Sequence, residues 1–285
     1  MEILTAERWS EERYRLGEGP YYDPRFDRYS WVDILDGKVF TDTQGVRSCF
    51  SLGQLVGAAV PLKRSDGFVL AGQDGLYVLE GNQAVLLRPL GDIYAPWQRS
   101  NDAKADHAGR LWFGSMTLDD TSHEPGGNLF CLDRQTVRCM QPNTRLSNGM
   151  AWSADGRRFF FSDSLYHAVF VYDCLPDGGI TNRRVLFEVN SIPDGMCIDA
   201  EDNLWLAVWG GSRVEKRSGA TGELLAEIRV PAEHVSCCCF GGSDLQTLLI
   251  TTSGEGCSGE LDGCLFACRP GPVGCPPDYA VIDAE

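Results

Sequence analysis

One unit recurs six times along this chain, and it leaves few folds open. A polar turn rich in Asp, Gly and Ser leads into a short apolar or aromatic strand. The six strands read YSWVDI (Tyr29–Ile34), GFVLAGQ (Gly67–Gln73), RLWFGSM (Arg110–Met116), RFFFSDS (Arg158–Ser164), NLWLAVW (Asn203–Trp209) and TLLITTS (Thr247–Ser253). The turns before them are DPRFD, KRSD, DHAG, SADG, DAED and GGSD, the chemistry a hairpin needs where central residues take positive φ. Each strand is followed by a second one: KVFTDT, GLYVLE, NLFCLD, AVFVYD, RVEKRS and GCLFACR. A further short run precedes each hairpin, as in GMAWS (Gly149–Ser153) and GMCIDA (Gly195–Ala200).

Taking Glu18, Gly57, Asn101, Asn148, Asp194 and Ser236 as equivalent points gives intervals of 39, 44, 47, 46 and 42 residues. Four strands in that span is the spacing of a propeller blade. Long amphipathic helical patterns are missing. The expected fold is therefore all-β: a six-bladed β-propeller of four-stranded antiparallel blades around a central channel, one domain over residues 1–285. The segments Thr5–Leu16 and YAVID (Tyr279–Asp283) are expected to close the ring and so remove open sheet edges.

A formal net charge of −15 argues against nucleic acid and against anionic membrane surfaces as partners, since both attract basic patches. Met1–Arg13 carries four Glu and no apolar segment, unlike a signal peptide. No apolar run approaches the ~20 residues of a membrane span. A cytoplasmic protein is the expectation. In a reducing compartment the 12 cysteines act as small buried hydrophobes. Cys257, Cys264, Cys268 and Cys275 lack the paired C-x₂-C spacing of zinc ribbons, so packing is expected of them too.

Several catalytic signatures are absent or out of context. There is no G-x-S-x-G elbow. His107, His123, His167 and His234 show no close pairing in sequence and read as loop or surface residues. The G-x-G-x-x-G at Gly254–Gly259 precedes no helix that could hold a pyrophosphate; it reads as a tight loop near the channel.

In a propeller the innermost strands line the channel and run in one direction, so residues just before them meet at one mouth. Those positions hold Glu18 (L-G-E-G-P), Asn101 (R-S-N-D), Asn148 (L-S-N-G-M) and Asp194 (I-P-D-G-M). Asn-Gly and Asp-Gly are also ordinary turn formers, yet turn chemistry does not ask for Glu at the first position. Two carboxylates and two amides make a hard-oxygen set suited to one divalent ion, Ca²⁺, Mg²⁺ or Mn²⁺, and carboxylate serves Zn²⁺ as well.

Those motifs, with IPDGMCIDAEDNLWLAVWGGSRV (Ile192–Val214) and SCCCFGG (Ser236–Gly242), resemble the regucalcin, senescence-marker-protein and gluconolactonase family from about Arg13 to Pro270. The resemblance implies a metal-dependent sugar lactonase on a six-bladed propeller. It implies Glu18, Asn148 and Asp194 as metal ligands, Asn101 beside metal and substrate, and Arg99 on substrate oxygens. Asp119 falls where relatives carry a carboxylate for sugar hydroxyls, followed by a loop, Asp120–Gly127, that varies among them. Ser100 stands where relatives usually have an apolar residue or Pro.

The expected reaction is hydrolysis of an aldonolactone to its aldonic acid. The ion polarises the carbonyl, Asp194 takes a proton from water, and Arg99 with Asn101 orients sugar oxygens. A non-enzymatic calcium-binding propeller and a lactonase or esterase acting on a non-sugar substrate stand as alternatives, since a propeller does not dictate function.

Overall fold

The computed structural model describes residues 2–119 and 125–282. His123, most of the loop after Asp119 and Asp283 lie outside the described residues. Six sheets, antiparallel apart from one added edge strand, form a propeller ring. The only helical element among the described residues is the 3₁₀ turn Ser164–Tyr166, and no helix there is long and apolar enough to cross a membrane. The six repeat strands fall within a residue or two of their sequence positions, for example Arg158–Asp163 and Asn203–Trp209. The final repeat differs: of GCLFACR only Phe266–Cys268 pairs as a strand.

The innermost strands are Gly17–Asp23, Val56–Pro61, Gln98–Ala105, Ser147–Trp152, Ile192–Ile198 and His234–Gly241 in blades 1 to 6. Each touches the next, and the sixth touches the first, which closes the channel. The apolar core divides accordingly into six clusters, one at each blade-to-blade interface. Trp112 and Cys131 of blade 3 pack with Phe159 and Phe161 of blade 4; Trp31 of blade 1 meets Leu249 and Leu265 of blade 6. Burying both faces of every sheet in this way is what the near-continuous apolar runs require.

Closure uses the N-terminus twice. Glu7–Arg8 supplies the outermost strand of blade 6 by pairing with Phe266–Cys268. Glu2–Thr5 adds a parallel fifth strand to blade 5, beside Leu224–Arg229, so that blade departs from the expected four. The C-terminal segment lies across other blades: Ala280 bridges Leu62 and Gly274 bridges Asp199. Cys275–Asp278 lines a small cavity with Tyr21, Lys104, Trp152 and Phe240, from the later parts of inner strands. His107 Nδ1 lies 2.7 Å from Asp278, which ties this segment down.

All twelve cysteines are free thiols. Cys238, Cys264 and Cys268 belong to the interface of blades 5 and 6, the packing role expected of them. Cys257 instead meets the ring nitrogen Nδ1 of His234 at 3.1 Å.

Candidate active site

All six inner strands break register at one point: between Glu18 and Tyr21, Val56 and Ala58, Ser100 and Ala103, Ser147 and Met150, Pro193 and Met196, and Val235 and Cys237. A bulge leaves residues outside the ladder and re-aims their side chains. The residues left out include Gly57, Asn101, Asn148, Asp194 and Ser236, with Glu18 as the last paired residue before the first break. The repeat-equivalent positions thus lie inside the inner strands, not just ahead of them. Asn148-Gly149 and Asp194-Gly195 are likewise not turns, because both dipeptides sit in strands.

The glycines serve close approach of neighbouring strands. A Cβ on Gly149 would lie 2.4 Å from the carbonyl oxygen of Asp194, and one on Gly195 would lie 2.3 Å from Sγ of Cys237. Bare backbone at Gly149 lets blades 4 and 5 come near enough for Asn148 and Asp194 to touch.

Carboxylates at the ends of the second strands anchor the starts of two inner strands. Asp33 accepts the backbone N–H groups of Arg15 (2.8 Å) and Leu16 (3.2 Å). Asp163 accepts those of Arg145 (3.1 Å) and Leu146 (2.9 Å) in the same way. Leu16 and Leu146 then form part of the wall of one cavity of about 170 Å³.

That cavity gathers Glu18, Arg99, Asn101, Asn148 and Asp194, all five buried. The sixth expected residue, Asp119, is exposed and is not among the residues lining it. Ser100 also stays out of the wall: its hydroxyl meets that of buried Tyr94 at 3.1 Å. Three residues without a role in the sequence reading belong to the neighbourhood. Ser164 lines the cavity and its hydroxyl donates to the Pro193 carbonyl (2.7 Å). Trp209 forms part of the wall. Asp102, buried beside Asn101 in the same bulge, adds a third carboxylate. Its only sequence signal was its place in R-S-N-D.

Arg99 Nη1 donates to the Ser100 carbonyl (2.9 Å) and to Asn101 Oδ1 (3.0 Å), while Asn101 Nδ2 donates to the Ser147 carbonyl (3.0 Å). This chain of bonds runs from blade 3 to blade 4. Asn148 Nδ2 donates to Asp194 and to Ser164 Oγ (3.2 Å). Its oxygen, Oδ1, is buried with no hydrogen-bond partner among the described residues. Burial, then the nearby Asp102 carboxylate, pushes the Glu18 carboxyl up to about 8. Asp194 is held well above the usual carboxylate range, first by burial and then by Glu18 and Asp102.

Two buried carboxyls that disfavour each other's ionisation, next to an orphaned amide oxygen, form an arrangement a cation relieves. All these donors are oxygens, which fits a hard divalent ion held by Glu18, Asn148 and Asp194.

A six-bladed propeller with a buried, oxygen-rich cavity built from its inner strands is the class of protein that fold and site define. Residues 16–254 match the SMP-30/Gluconolactonase/LRE-like region, and the chain belongs to that family. Regucalcin of Danio rerio is 32% identical over 280 residues, covering 93% of this chain and 94% of that one. A pentonolactonase of Haloferax volcanii is 34% identical over 272 residues, with 91% and 90% coverage. Among solved structures, a luciferin-regenerating enzyme superposes with a TM-score of 0.90 at 28% identity, covering 98% of this chain and 99% of that chain.

Proposed function

We propose that this protein is a metal-dependent sugar lactonase that opens an aldonolactone to its aldonic acid in the cavity of Glu18, Arg99, Asn101, Asn148 and Asp194. The observation that carries the reading is the orphaned Asn148 Oδ1 beside two buried carboxyls. Relatives named for lactone hydrolysis support it.

A bound divalent ion, Ca²⁺, Mg²⁺, Mn²⁺ or Zn²⁺, supplies polarisation of the lactone carbonyl and acidification of a water. Glu18, Asn148 and Asp194 are the residues to hold it. Asp194 takes the proton from the attacking water as the new C–O bond forms, the part of a positioned general base. Collapse breaks the ring C–O bond, and the same proton passes from Asp194 to the departing hydroxyl, so acid and base balance. Arg99 and Asn101 hold each other and orient the substrate oxygens, a task for which the rigid guanidinium fork is suited.

We also infer that residues 1–285 work as one domain, because both termini are stitched into the ring. A small-molecule lactone is the partner, and neither nucleic acid nor membrane is. A reducing, cytoplasmic setting suits twelve unpaired thiols. The test is turnover of an aldonolactone panel by protein freed of metal and reloaded with each ion, with metal content measured alongside. Turnover of one or more sugar lactones above the ion-only rate is expected. Binding of an ion without turnover of any of them overturns the reading in favour of a binding propeller.

A further inference from the structure

We propose that Glu233, His234 and Cys257 form a second metal site, selective for zinc, beside the wall of the catalytic cavity. Cys257 Sγ lies 3.1 Å from His234 Nδ1, the ring nitrogen that would ligate, and the exposed Glu233 carboxylate has an oxygen 3.7 Å from the opposite nitrogen, Nε2. One ligand atom from each residue falls within 4.8 Å of the others. Zinc with bonds of about 2.0–2.3 Å at tetrahedral angles holds its ligands roughly 3.3–3.8 Å apart, so an ion on Nδ1 is completed by a swing of the exposed Glu233 side chain. Thiolate, imidazole and carboxylate are a zinc donor set, with a fourth position left for water.

The three residues are held in place independently of any ion. His234 opens the inner strand of blade 6 and is half-buried, not the plain surface residue its sequence context suggested. Its ring stacks on Trp209 at 4.2 Å between centroids, 11° from parallel. Buried Asp262 accepts the Glu233 backbone N–H (2.8 Å) with one oxygen and that of Gly259 (2.7 Å) with the other. Arg13 donates to the carbonyls of Asp262 (2.8 Å) and Gly259 (3.0 Å). The loop bearing Cys257 is thereby pinned to the residue next to His234. Asp262 and Glu233 also make the surroundings negative, which favours a dication. Outer residues of this kind orient ligands and tune affinity.

The two sites differ in donor chemistry. The ligands proposed in the cavity are oxygens and suit hard ions, whereas the second site offers sulfur and nitrogen. Trp209 joins them, because it lines the cavity and carries His234 on its ring. An ion on His234 therefore fixes one wall of the pocket.

Cobalt replaces zinc and reports the sulfur ligand by its thiolate-to-metal charge-transfer absorption. Added to the whole protein in excess calcium, cobalt is expected to produce that band to one equivalent, and zinc to bleach it. C257S should abolish the band while keeping the wild-type melting temperature in chelator. H234Q should weaken cobalt binding by more than the roughly 10–100-fold typical of losing an outer-shell partner. No band in the wild type, or a band that persists in C257S, overturns the proposal. Cobalt on Glu18, Asn148 and Asp194 gives no thiolate band, and loss of the band in C257S assigns it to Cys257 and not to the Cys237 thiol beside Glu18, so this readout stands whether or not the cavity proves to hold a metal or to hydrolyse lactones.

Discussion

The side-chain amide of Asn148 in blade 4 donates to the carboxylate of Asp194 in blade 5, and the Asn148 oxygen is left buried with no partner. An amide at the cavity wall that gives its nitrogen to one carboxylate and keeps a buried, unpartnered oxygen has an acceptor to spare for a cation. The same contact joins neighbouring blades at the point where both inner strands bulge.

Removing the proposed base tests the chemistry most directly. D194N should lower kcat on an aldonolactone by about 10²–10⁴, the usual contribution of a positioned base. Turnover should be measured with metal content determined on the same sample. A variant that keeps its metal and its full kcat removes Asp194 from the role.

Glu18 is expected to act through the ion. An ion present at 100 times its Kd stabilises the folded state by about 2.7 kcal/mol, so chelation should lower the Tm of the wild type and abolish turnover, with both restored on reloading. In E18Q the Tm shift between loaded and chelated protein should shrink. Equal shifts in the two proteins would place the ion elsewhere.

The tie between His107 and Asp278 has a pH signature. The hydrogen bond that His107 donates to the Asp278 carboxylate pushes His107 up to about 9, above the ~6.5 of an unfolded histidine. A raised histidine contributes stability in full below about 6.5 and loses it as pH climbs through about 9. Wild type should therefore exceed H107Q in Tm at pH 6 by a modest margin, given a half-exposed pair. The gap should close by about pH 10. A gap that does not change with pH would show packing, not charge, as the source.

Strand approach at the site depends on Gly149. G149A forces a Cβ to within 2.4 Å of the Asp194 carbonyl oxygen, and the strands must part. A loss of about 1–3 kcal/mol is expected for such overpacking, read as a lower urea midpoint at unchanged m. Activity should fall as well, because Asp194 moves with its strand. Wild-type midpoint and turnover together would show that the strands have room to spare.

Much of the architecture was legible without coordinates. Aromatic runs such as RFFFSD and NLWLAVW are bounded by turns whose local chemistry is self-contained. In two of those turns the leading residue, Asp106 or Asp199, accepts backbone N–H groups two and four residues on. Local pattern and spacing therefore carry blade number and order. The equivalence of Glu18, Asn101, Asn148 and Asp194 was legible for the same reason, since a repeated unit places repeated positions at one level of the channel.

What the chain alone could not decide depends on contacts between blades. Whether Asn148-Gly149 is a turn or a strand bulge is settled by the neighbouring Asp194 backbone, 46 residues away in sequence. Asp119 and Asp102 sit in equally plausible motifs, yet one ends exposed and the other buried against the site, because side-chain direction follows register and bulge rather than residue type. His234 and Cys257 meet only because a loop after blade 6's second strand folds back onto the start of its first. Periodicity reports which face of a strand is apolar; where its polar exceptions converge is set by ring closure, a long-range packing outcome with no local signature.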